Sequence, residues 1–78
     1  MNHYKLDNKQ MDAAFLSGTE IICKVAMNED EVRSEKIKVG DALIVILSTG
    51  SKYKGRVVSF TAVPIEKYVV GEMVVVRG

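Results

Sequence analysis

Ten of the chain's twelve valines lie between Val39 and Val76. β-Branched side chains are stiff about χ1 and pack well on a pleated surface, so this stretch is predicted to be sheet. Aliphatic strands in such number cannot leave their edges bare without inviting pairing with other chains. A small closed or strongly curled barrel removes those edges. Pairing them within a homodimer is the other solution.

The first segment is written in a different period. Asp7 is placed to cap a first turn, with Gln10 three residues on in a capping-box-like arrangement and Leu6 and Met11 placed as a hydrophobic staple. Met11, Ala14 and Phe15 follow the spacing of one buried helical face, and Gly18 suits a left-handed cap. The expectation is a helix over about residues 8–17, too short to stand without a surface to pack on.

After it, Ile21, Cys23, Val25 and Met27 alternate as a strand over about 20–27, and Asn28 to Glu31 read as a polar break. Ile37 and Val39 alternate with Lys36 and Lys38 as a short strand or extended approach. Ala42–Leu47 reads as a central strand covered on both faces. Ser48 to Ser51 form a turn, and a long strand pattern runs from Lys52 to Val63.

That pattern contains a conflict. Lys52, Lys54 and Arg56 share a parity with Val58, Phe60 and Ala62, and one face cannot change from charge to core. A bulge or sharp twist is therefore expected near Gly55 to Val57. Pro64 is expected to break the ladder. Ile65–Val70 and Met73–Arg77 follow, joined by a hairpin turn at Gly71-Glu72. Together these readings give one α+β, mainly β domain over residues 1–78. A short N-terminal helix packs on a small, twisted barrel of five or six strands over about 19–77.

The order helix, Gly18, strand, then Val39-Gly40-Asp41 leading into Ala42–Val45, then Lys54-Gly55-Arg56-Val57-Val58, resembles the ASCH domains of the PUA-like superfamily. The similarity covers roughly residues 11–63. It implies a PUA-like barrel associated with RNA. Thr19 and Glu20 stand where such domains commonly carry a basic residue. Of the lysine, threonine and glutamate used by amidohydrolase members, only Thr19 and Lys24 lie nearby, out of the matching places. The resemblance thus implies RNA association rather than hydrolysis. An SH3-like or Tudor-like barrel accounts for the same strands.

Composition narrows the function further. Cys23 is the only cysteine and His3 the only histidine, which excludes an internal disulfide and a Cys/His zinc site. Cys23 shares the parity of apolar neighbours and reads as a buried structural thiol, and His3 reads as part of a mobile terminus. Glu29, Asp30, Glu31 and Glu35 lack the glycine-bearing pattern of a cation loop. No phosphate-cradling glycine motif is present, so no cofactor is expected. The start lacks a signal pattern, and no apolar run approaches the roughly 20 residues of a bilayer-spanning helix. A cytoplasmic protein without membrane contact is the expectation.

The formal net charge of +1 is unevenly spread. Residues 1–32 hold three Lys/Arg and six Asp/Glu, whereas residues 33–78 hold eight and four. The basic half centres on Ser48-Thr49-Gly50-Ser51 followed by Lys52, Lys54 and Arg56 on one side of a strand, with Tyr53 on the other. Cations two residues apart can follow a phosphate backbone, and hydroxyls at a turn can add anion contacts. The same lysines also serve to keep a strand edge soluble. Lys52, Lys54 and Arg56 are the leading binding candidates, with Lys36, Lys38 and Arg33 beside them. The leading reading is a non-catalytic module for RNA or another polyanion. A small bacterial or phage-type assembly protein forming a homo-oligomer is the alternative. An ASCH-like hydrolase comes third, because it needs Lys24 and a carboxylate to converge.

Overall fold

A computed structural model describes residues 3–78. The elements run β1 (His3–Lys5), α1 (Lys9–Leu16), β2 (Ile21–Met27), α2 (Glu29–Arg33), β3 (Ala42–Ile46), β4 (Lys52–Ile65) and β5 (Tyr68–Arg77). All five strands join one sheet in the order β1-β3-β4-β5-β2. Only the β1–β3 pair is parallel. The sheet curls into a half-barrel, far enough for its two edge strands to meet through a side chain. The Tyr4 hydroxyl on β1 donates to the Lys24 carbonyl on β2 at 3.4 Å.

The mainly β architecture with a short helix matches the sequence reading, but the helix is not the N-terminal element. His3–Lys5 lies alongside Ile44–Ile46, so His3 belongs to a strand and not to a loose terminus. Three residues are too few to establish a period, and the strand exists because β3 offers it an edge.

Helix α1 starts one residue later than expected. Asn8, not Asp7, is the N-cap, and its Oδ1 accepts the Met11 N–H at 2.9 Å. Its end is as anticipated. Gly18 takes φ +86°, its N–H bonds to the Phe15 carbonyl, and the Thr19 N–H bonds to Ala14. This is the paired closure of a Schellman motif. Phe15 carries the helix into the core and is fully buried with Leu6, Val45, Met73, Val75 and Cys23.

The polar break is a second helix. Asn28 Oδ1 accepts the Glu31 N–H at 2.8 Å, and the Glu31 carboxylate accepts the Asn28 N–H at 3.1 Å. The N-x-x-E signal of this capping box is present in the sequence, masked by the run of charge around it. At its far end Glu35 occupies the left-handed position, φ 54°, that glycine usually fills.

Residues 36–41 form turns, not the expected short strand. Ile37 is buried while Val39 is 64% exposed. The Asp41 carboxylate accepts the Lys38 N–H at 2.9 Å, and the Asp41 N–H returns to the Lys38 carbonyl at 3.1 Å. The local polar closure competes successfully with strand pairing. β3 is covered on one face only: Leu43 and Val45 are buried, whereas Ala42 and Ile44 are exposed. Both parities being apolar, the sequence conceals which one faces out.

The conflict in β4 resolves by a bulge. Val57 pairs with Val75, but Ser59 pairs with Val74, so Val58 is the extra residue. Gly55 and Val57 face inward before it, Phe60 and Ala62 after it, and Val58 itself is 36% exposed. The bulge sits one residue beyond the expected window. Pro64 does not end the strand, which continues to Ile65 before turning at residues 66–67. Pro64 lies opposite Val69, whose backbone groups face β2, so its missing N–H falls on the unpaired edge of β4 and no ladder bond is lost.

The expected turn at Gly71-Glu72 is absent, and β5 runs straight through it. Gly71 is there for closeness: a Cβ would lie 2.7 Å from Met27 Sδ and 2.9 Å from Phe60 Cε1. Gly71→Ala is expected to cost about 1–3 kcal/mol by overpacking. Glu35→Gly should instead add about 0.5–1 kcal/mol by relieving the left-handed backbone. Urea unfolding of both variants against the parent chain checks the two signs.

Candidate functional site

The outer face of the sheet at its β1–β3–β4 end collects cations from two strands. Cross-strand register sets them in rows. Lys5, Ile46 and Lys52 form one row, and His3, Ile44 and Lys54 the next. Ala42, Arg56 and Val76 form the third. With strands ~4.8 Å apart and residues rising ~3.3 Å, the cationic Cα positions span an area of roughly 10 by 13 Å. Lys5, Lys52, Lys54 and Arg56 are all exposed.

Among the described residues, none of these four pairs with a carboxylate. The ion pairs are Arg33 with Asp30 and Lys36 with Glu31. His3, Ile44, Lys52 and Lys54 border an open depression of about 660 Å³. Its floor is aliphatic and its rim carries the lysines. Lys5 and His3 were not legible as partners of Lys52. Only the parallel pairing of β1 with β3 brings them there.

The remaining sequence candidates are distributed differently. Arg33 lies on α2 and Lys36 just beyond it, both engaged with acids of that helix. The Lys36 contact holds the Glu31 carboxyl below its ordinary range, with the Asn28 N–H adding to the effect. Lys38 belongs to the turn that ends at Asp41. That turn is hydrogen-bonded to β4 through Gly40 N–H to Val57 carbonyl and Val57 N–H to Asp41 carbonyl. It lies at the Arg56 end of the row, on no strand. Helix α2 sits beside Ala62, Pro64 and Val69, toward the far end of β4 from Lys52. Arg33 and Lys36 thus belong with α2 and not with the row on β4.

Within the turn at residues 48–51, Ser48 does not offer its donors to an external anion. The Ser48 N–H donates to Asp12 Oδ1 at 2.9 Å, and the Ser48 hydroxyl donates to Asp12 Oδ2. Asp12 is 7% exposed, so an internal carboxylate already occupies this position. It ties α1 to the β3–β4 connection. No sequence period marks the pair, because Asp12 and Ser48 are 36 residues apart.

Tyr53 points away from the cations, as its parity requires. Its ring meets Phe15 edge-on at 6.4 Å between centroids. The Arg77 guanidinium lies 5.1 Å from the Tyr53 centroid and donates to the Leu16 carbonyl at 3.1 Å. Arg77 thus holds the C-terminal end of α1, where a cation is favourable. Tyr53 is unavailable for stacking on a base.

Lys24 faces Glu72 across β2 and β5, but among the described residues it makes no ion pair. Among the described residues no carboxylate lies within ion-pair distance of Lys24, the contact that the hydrolase reading needs. No group of three or more His, Cys, Asp or Glu among the described residues is arranged to hold a metal ion. No helix among them is long and apolar enough to cross a membrane.

Cys23 is fully buried, as read from its parity, and burial pushes its thiol up to about 11. Burial, then the nearby Cys23, also raises the Tyr4 hydroxyl. No family model, no curated protein and no solved structure matches the chain.

Two predictions follow from this geometry. Asp12→Ala strands the part-buried Ser48 N–H and should destabilise the chain by about 1–3 kcal/mol, read by urea unfolding. The unfolded chain loses the Cys23 proton near pH 9, its ordinary value, and the folded chain only near 11. Stability is therefore lost as pH rises through that window. The gap between parent and Cys23→Val should shift by about 2–3 kcal/mol toward the variant between pH 8 and 11. A gap that stays constant would contradict this.

Proposed function

We propose that the chain is a non-catalytic binding module whose outer sheet face contacts the phosphate backbone of nucleic acid. One observation carries the reading. Lys5, Lys52, Lys54 and Arg56 lie exposed on one face, and none is neutralised by a carboxylate among the described residues. Charges left unpaired on a common surface raise the local concentration of a polyanion and steer its approach.

The contact is to phosphates rather than bases. Tyr4 and Tyr53 both turn into the structure, and the exposed Tyr68 stands at the opposite end of β4. With no tyrosine or phenylalanine presented at the cations, the face offers little stacking surface for unpaired bases. Backbone contacts position a protein but carry no sequence information, so little base preference is expected. The resemblance to PUA-like barrels favours RNA. That resemblance is carried by the sequence at Gly18 and Val39-Gly40-Asp41.

Four phosphate contacts correspond to a log K against log salt slope of roughly −3 to −4 on a duplex. Lys54→Ala should reduce that slope by about one. The double variant Lys52→Glu, Lys54→Glu should keep the far-UV circular dichroism of the parent and lose binding at low salt. If the parent chain shows no salt-sensitive binding to RNA, the reading is wrong.

A further inference from the structure

We infer that β2 is a pairing edge for a second copy of this chain, joined antiparallel about Ile22. The hydrogen-bond phase of the sheet decides which residues have free edge groups. The Gly78 N–H bonds to the Lys54 carbonyl, so even-numbered residues of β5 face β4 and odd-numbered ones face β2. Across the β2–β5 register, Ile21, Cys23, Val25 and Met27 therefore use their backbone groups on β5. Ile22, Lys24 and Ala26 direct theirs to the other side. The Tyr4 hydroxyl confirms the phase by reaching the Lys24 carbonyl from that side. Among the described residues no strand pairs with β2 there. Pairing there exchanges the long Tyr4 contact at 3.4 Å for a backbone donor of the second copy.

The side chains along this edge are self-complementary. Ile22 is 58% exposed, and Glu20 and Lys24 flank it, both exposed and of the same parity. In an antiparallel pair centred on Ile22, that residue meets its own copy. Glu20 of each chain then lies opposite Lys24 of the other. Residues 20, 22 and 24 all have the phase of a hydrogen-bonded pair in that register. Opposite charges directly across strands stabilise such a pair and like charges oppose it. A shift by one residue would set aliphatic against charge and invert the faces. The arrangement is isologous and closes at two copies. It uses none of Lys5, Lys52, Lys54 and Arg56, none of which lies on β2. The inference does not rest on the nucleic-acid reading, and its test contains no nucleic acid.

Sedimentation equilibrium of the full chain up to roughly millimolar concentration should show a monomer–dimer equilibrium. Glu20→Lys alone and Lys24→Glu alone each create like-charged cross-strand pairs and should weaken association about tenfold or more. Mixing the two variants makes every pair attractive again, so a heterodimer should form more tightly than either variant associates with itself. Ile22→Pro removes the central free-edge N–H, leaves the β5 bonds intact and should abolish the dimer. A parent chain that stays monomeric at millimolar concentration overturns the inference. So does a mixture that associates no better than its components.

Discussion

Strand β4 must serve two neighbours and two environments within fourteen residues. Its first part pairs with β3 and carries the cations outward, while the remainder pairs with β5 and has to deliver Phe60 and Ala62 inward. A regular strand cannot do this, because side chains alternate strictly. The extra residue at Val58 shifts the parity once, between the charged stretch and the apolar one. Bulges also increase local twist, and the curl that brings Tyr4 to Lys24 depends on a sheet that bends strongly. The exposed basic row and the filled core are thus two consequences of one irregularity.

The concave side is held by contacts that are polar at their rims and apolar within. Asp12 ties α1 to the turn after β3, and Arg77 holds the other end of the same helix while covering Tyr53. Between them Phe15 is driven against β-strand side chains. An eight-residue helix would not persist in water by itself. These ties have a functional consequence. They consume the donors of residue 48 and the aromatic face of Tyr53 internally, so what remains for a partner is a surface of cations over an aliphatic floor.

Much of this was legible from residue order. The helix ending at Gly18, the strand over about 20–27, the long strand after Lys52 and the need for a bulge all follow from period and parity. Tyr53 facing inward and Cys23 being buried follow in the same way. The misreadings share a cause. Gly71 looked like turn chemistry, yet its small size is needed because Met27 and Phe60 crowd it. Asn28 to Glu31 looked like a loop, because charge obscured a capping box. Lys36 and Lys38 looked like a strand, but the local closure by Asp41 made a turn instead.

The amino-acid order by itself determined helix α1, the strand after it, the mainly β class and the cationic row on β4, because each depends on neighbours one to four residues away. Only the tertiary structure decided that Lys5 joins Lys52 through β3. It also decided that Ser48 answers to Asp12. Those relations join residues more than 30 positions apart. Such pairings are selected by which edges and donors the folded sheet leaves unsatisfied, a quantity that no local window of sequence contains.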